Sequence, residues 1–127
     1  MLNQFKQYLS TKGISIESEA EEQLTFSDGG LNYIFISEKS DPNYFRLILP
    51  GILKPEGDKL KSYEMMNTSN QKFKVAKLTI AADGLIWANI EQFVYSNEGV
   101  DLLFDRCFGV LKGIFFSVNQ DIPANNE

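Results

Sequence analysis

At 127 residues, with a formal net charge of −5 and a single cysteine, the chain amounts to one domain, large enough to bury roughly two-thirds of its unfolded surface without disulfide staples. Its acidic balance argues against nucleic acid as a partner, because that binding rests on Lys and Arg neutralising phosphates. The absence of histidine removes the commonest general base and most catalytic zinc sites, and the longest apolar run, Leu47 to Leu53, falls far short of the roughly 20 residues that span a bilayer.

Taken in order, Leu2, Phe5, Tyr8 and Leu9 recur at helical spacing, and Lys12-Gly13 supplies the end of that helix. Ile14 to Ser18 then alternates as a strand. A second run, Glu22 to Ser27, alternates through Leu24 and Phe26 and closes on Asp28-Gly29-Gly30, a strong turn. Leu31 to Ser37 is a third strand, apolar on both faces, and Tyr44 to Leu49 a fourth that Pro50-Gly51 ends or bends. From Pro55 to about Ser69 the period becomes helical: Asp58 caps a helix whose apolar side is Leu60, Tyr63 and Met66, with Met65 beside them.

The stretch Lys72 to Phe93 reads as a β-hairpin around which the domain is organised. Two registers are open, and side chains choose between them. A three-residue loop, Ala82-Asp83-Gly84 with Gly84 left-handed, places Ala76, Leu78, Ile80, Ile86, Ala88 and Ile90 on one face and Val75, Lys77, Thr79, Trp87, Asn89 and Glu91 on the other. A two-residue turn mixes polar and apolar residues on both. Ser96 or Asn97 then caps the last helix, from Glu98 to about Asn119, ahead of a polar tail, 122–127, expected to fray. The domain is expected to cover 1–121.

On a helical wheel the last helix groups Val100, Leu103, Phe104, Cys107, Val110, Leu111, Ile114, Phe115 and Val118 in one stripe, whose destination is the apolar face of the hairpin. Opposite it, Leu102, Gly109, Gly113 and Phe116 line up. Two glycines in mid-helix cost about 0.8 to 1 kcal/mol each relative to alanine, which points to close approach by another element: either the first helix or a loop of the same chain, or a partner molecule. With Trp87 and Phe93 on the mixed face of the hairpin, these are the candidate partner-binding residues.

No catalytic constellation emerges. The two glycine-containing turns match neither a P-loop nor a dinucleotide fingerprint, and Cys107 sits in the apolar stripe, where a thiol is buried and inert rather than nucleophilic. Glu17, Glu19, Glu21 and Glu22 make a solvated acidic corner rather than a metal site, and Lys77 with Glu91 a diagonal surface pair. Lys54, Lys59, Lys61, Lys72, Lys74 and Lys77 form a local basic stretch that serves solubility. No cofactor, metal or membrane association is expected.

The segment Met66-Asn67-Thr68-Ser69-Asn70-Gln71-Lys72-Phe73-Lys74-Val75-Ala76-Lys77-Leu78, continuing through Asp83-Gly84-Leu85-Ile86-Trp87-Ala88-Asn89-Ile90-Glu91 to a closing helix, resembles the YbjN-like family, which shares the fold of type III secretion chaperones. The resemblance implies an α+β domain of order α-β-β-β-β-α-β-β-α, its helices packed on a curved antiparallel sheet. It also implies a non-catalytic, homodimeric role: a chaperone of this fold holds an extended segment of a client and pairs through its middle helix, whereas the wheel points to the last. The expectation is therefore a cytoplasmic, non-enzymatic protein-interaction domain with a protein partner or client, the alternative being a small-ligand sensor with a pocket between sheet and helices.

Overall fold

The computed structural model describes residues 1–120, and along them the chain forms α1 (Leu2–Thr11), β1 (Ile16–Glu19), β2 (Gln23–Asp28), β3 (Leu31–Ile36), β4 (Tyr44–Leu53), α2 (Lys59–Lys72), β5 (Ala76–Ile80), β6 (Ile86–Phe93) and α3 (Val100–Gln120). The expected frayed tail, 122–127, lies outside the described residues. The strands make an antiparallel sheet in the spatial order β1-β2-β3-β4-β6-β5. The chain thus leaves β4, crosses by way of α2 to the far edge, and returns with β6 between β4 and β5.

The hairpin takes the register of the three-residue loop, with Ala76 opposite Ile90, Leu78 opposite Ala88 and Ile80 opposite Ile86. Ala81 N–H donates to the Leu85 carbonyl at 2.9 Å, Gly84 N–H donates to the Ala81 carbonyl at 2.9 Å, and Gly84 has φ +81. A slip of one residue would turn Leu78, Ile86 and Ile90 from the core to the opposite face.

One face of the sheet carries Leu24 and Phe26, Tyr33 and Phe35, Phe45, Leu47 and Leu49, Ala76 and Leu78, and Ile86, Ala88 and Ile90, all buried. α1 and α3 roof it. Phe5 of α1 lies flat on Phe35, ring centroids 3.9 Å apart, and meets Phe104 of α3 edge-on at 4.9 Å. α1 can turn away cleanly at its end because Gly13 adopts φ +72: the Ile14 N–H reaches back to the Leu9 carbonyl at 2.9 Å and the Gly13 N–H to Ser10 at 3.1 Å, the paired bonds of a Schellman ending.

Two expectations need correction. α3 reaches well beyond the hairpin, packing on β4 as well as on β5 and β6, and it buries Phe108, which the wheel left outside the stripe. The Phe108 ring sits 5.6 Å from that of Phe26 and 5.0 Å from that of Tyr33, because a long aromatic at the margin of a stripe still reaches a wide sheet. In α2, Leu60 and Tyr63 point outward, 62% and 51% exposed, and the buried residues are Ser62 and Ser69. This helix runs beside the sheet edge at β5, where close approach suits small side chains. Of the two outcomes open at Pro50-Gly51, the chain takes the bend, and β4 runs on to Leu53: the register with β6 shifts between Leu49 and Leu53, Gly51 takes φ +58, and a bulge is where a strand tolerates proline.

Candidate functional site

Among the described residues no helix roofs the second face of the sheet. β3 contributes Ile34 and Ile36, β4 Tyr44, Arg46 and Ile48, β5 Lys77 and Thr79, and β6 Trp87, Asn89, Glu91 and Phe93. Ile48 is buried by its neighbours alone, 2% exposed, while Phe93 is 59% exposed and Tyr95 just beyond it 79% exposed. The Phe93 ring stacks with Tyr95 at 6.3 Å and leans on Tyr44 at 5.7 Å. Trp87 is half-buried, and its indole N–H donates to the Asp83 carboxylate at 3.1 Å, which fixes the ring over the turn. Both sheet residues singled out in the sequence, Trp87 and Phe93, therefore lie on this bare face, with Asn89 and Glu91 between them along β6.

The α3 residues divide. Leu102 and Phe116 are 73% and 58% exposed, and a side chain added at Gly109 would meet nothing within 4 Å. Gly113 is different, for a Cβ there would lie 3.5 Å from the Phe73 ring. A methyl there would make an ordinary van der Waals contact with a neighbour in the same chain, the residue that ends α2. Cys107 is buried and burial pushes its thiol up to about 11, which keeps it protonated and unreactive near neutral pH.

Between α1 and α3 lies a hollow of about 450 Å³ lined by Tyr8, Lys12, Ile14, Asp28, Asp105, Phe108, Gly109 and Lys112. Its charges are matched within the chain. The Tyr8 hydroxyl donates to Asp105 at 2.5 Å, Lys12 stands 3.2 Å from the same carboxylate, and Lys112 pairs with Asp28 at 3.0 Å. The Tyr8 hydroxyl and then Lys12 hold the Asp105 carboxyl below its ordinary range, so this clamp between the helices loosens as pH falls through that depressed value. A polar-lined pocket is what a ligand sensor needs, but here each polar group already has a partner.

Lys77 and Glu91 do not pair with each other. The Lys77 ammonium donates to the Asn70 and Phe73 carbonyls, both at 2.7 Å, capping the end of α2, a place where a cation is favoured by the exposed carbonyls. Glu91 instead accepts from the Tyr44 hydroxyl at 2.7 Å. At the acidic corner, Glu19 pairs with Lys6, Glu21 with Lys39, and Glu22 accepts from the Lys39 backbone N–H at 2.7 Å.

Tyr33 in the core is 1% exposed and its hydroxyl has no hydrogen-bond partner. Burial, with help from the nearby Asp28 charge, pushes it up to about 12. A phenol whose folded value lies above its unfolded one stabilises the fold fully below about pH 10 and loses that contribution as pH rises towards 12. Tyr33→Phe removes an unsatisfied buried hydroxyl and is expected to stabilise the protein by about 1 kcal/mol at neutral pH. Urea midpoints at pH 8 and pH 11 check both points: the variant starts higher and falls less between them.

Geometry therefore defines an α+β fold: a six-stranded antiparallel sheet roofed on one side by α1 and α3, edged by α2 and, among the described residues, bare on the other, with aromatics on the bare side. The solved structure of E. coli YbjN, presented as a proposed transcription regulator, matches it with a TM-score of 0.70 at 13% identity, over 94% of this chain and 92% of that one. The fold is thus YbjN-like, with the element order α-β-β-β-β-α-β-β-α. No family model and no curated protein matches the sequence.

Proposed function

We propose that this chain is a non-catalytic protein-interaction domain that acts as a homodimer, pairing through α2 and presenting its bare sheet face to a client or regulated protein. The observation that carries the reading is the inversion of α2: its outward side bears Leu60 and Tyr63, one turn apart, while its buried residues are serines. A helix that packs Met65 and Met66 against the core yet leaves Leu60 and Tyr63 on its outward side is suited to a second partner. The chain has no histidine, and among the described residues no three metal-ligating side chains cluster, which fits binding better than catalysis. E. coli YbjN, presented as a proposed regulator of transcription, lends the reading a regulatory form.

Light scattering on purified variants tests it. Tyr63→Asp is expected to yield a folded monomer, whereas Phe116→Asp on α3 and Gly109→Ala leave the dimer intact. Gly109→Ala is also expected to stabilise the protein by about 0.8 to 1 kcal/mol, since the added methyl enters open space on a helix. A monomeric wild type, or a dimer that Tyr63→Asp leaves unchanged, removes the proposal. A dimer broken by Phe116→Asp moves the interface to α3.

A further inference from the structure

The bare face holds one group whose bonding is left incomplete. Arg46 has five N–H donors to place, yet its Nε is buried without a hydrogen-bond partner, and one Nη reaches the Asn89 side-chain oxygen only at 3.5 Å. Glu91 forms an ion pair with Nε at 3.6 Å, too long for a hydrogen bond, its carboxylate being held by the Tyr44 hydroxyl. Beside this guanidinium opens a hollow of about 230 Å³, lined by Arg46, Val75, Lys77, Thr79, Asn89 and Glu91.

The wall of that hollow is strained. Val75 has φ +56, alone among the non-glycine residues described, and the Ala76 N–H donates to the Lys74 carbonyl at 2.6 Å across it, closing a γ-turn of the rare hand. A β-branched residue in this region is a genuine outlier, and such strain gathers where a ligand is clamped. The charge around it also has a sign. The hollow's charged lining is Arg46 and Lys77 against the single carboxylate of Glu91, and the Lys77 ammonium forms no ion pair among the described residues.

We propose that the bare sheet face binds an extended, acidic segment of a partner protein, with one carboxylate of that segment seated on Arg46 in the hollow bounded by Val75 and Lys77, and with flanking apolar side chains on Trp87 and on Phe93 and Tyr95. The proposal rests on the interaction-domain reading above and adds the chemistry of the partner. A partner carboxylate offers two acceptors in a plane that match the fork of the Nη groups, which meet only Asn89 at 3.5 Å. Alternation along an extended segment then brings an apolar residue to each side of the acid on the same face.

The test uses the full-length, ¹⁵N-labelled protein with two synthetic peptides, acetyl-LTETL-amide and acetyl-LTQTL-amide. The glutamate peptide is expected to shift the Arg46 Nε–H resonance and the amides of Asn89 to Phe93, and to bind about tenfold or more tightly than the glutamine peptide, the discrimination of a charge-assisted pair. Arg46→Gln abolishes the preference while its thermal midpoint stays near wild type. Val75→Gly releases the turn and removes a wall, so its midpoint rises as the glutamate peptide weakens. Equal binding of the two peptides, shifts confined to α2 or α3, or no shift with either at millimolar concentration each overturns the proposal. None of these results touches the dimer measured by light scattering, so failure here and failure of the interaction-domain reading are told apart.

Discussion

Phe5→Ala is expected to cost about 3 to 5 kcal/mol, a large fraction of the roughly 5 to 15 kcal/mol that holds a domain folded. Phe5 is fully buried, and its ring touches elements from both layers: it stacks on Phe35, meets Phe104 edge-on, and lies 5.4 Å from Phe26 and 5.8 Å from Tyr8. Deleting it opens a cavity where α1, α3 and the sheet converge, and no neighbour can fill it without giving up its own aromatic contacts. Chemical denaturation followed by circular dichroism measures the loss. Phe5→Leu, which keeps most of the volume, is expected to lose less than half as much. An alanine variant within about 1 kcal/mol of wild type would show that α1 is peripheral to the fold.

The same ring cluster explains which parts of the architecture were legible in the sequence. Leu24, Phe26, Leu78, Ile86 and Ile90 lie where alternation and turn chemistry put them, because each strand has one face on a single core and a slip of one residue would expose all of it. The wheel of α3 places Phe104, Leu111, Ile114 and Val118 on the buried side, where they lie, and leaves out the buried Phe108, since periodicity gives direction but not reach. α2 misled for a different reason. Amphipathic reasoning assumes that a helix packs on the face of a sheet, and α2 packs along an edge, where backbone groups of β5 must be met by a short polar side chain. The bare face was legible as a mixture of Trp87, Phe93 and charge, but its centre was not: Arg46 comes from β4, more than forty residues before Asn89 and Glu91, and only the strand order brings them together.

Leu78 is buried in β5, the outermost strand, so its outward-facing N–H and C=O have neither a further strand nor free water to meet them. Asn70 of α2 supplies both missing bonds: the Leu78 N–H donates to its side-chain oxygen at 2.7 Å, and its amide N–H donates to the Leu78 carbonyl at 3.2 Å. Only an amide, with a donor and an acceptor side by side, mimics a paired strand in this way. Asn70→Leu keeps the volume and removes both partners, leaving two backbone groups unsatisfied at a cost of about 2 to 3 kcal/mol. Asn70→Asp keeps the acceptor and sets an anion against the carbonyl, so it should protect the Leu78 amide while still weakening α2. Native-state hydrogen exchange reads the difference: the Leu78 amide is expected to lose protection in the leucine variant and to retain most of it in the aspartate one. With α2 no longer fastened along it, β5 becomes a free edge, and the leucine variant is expected to aggregate on standing where wild type does not. Slow exchange at Leu78 in both variants would mean that the strand edge is shielded by something other than this side chain.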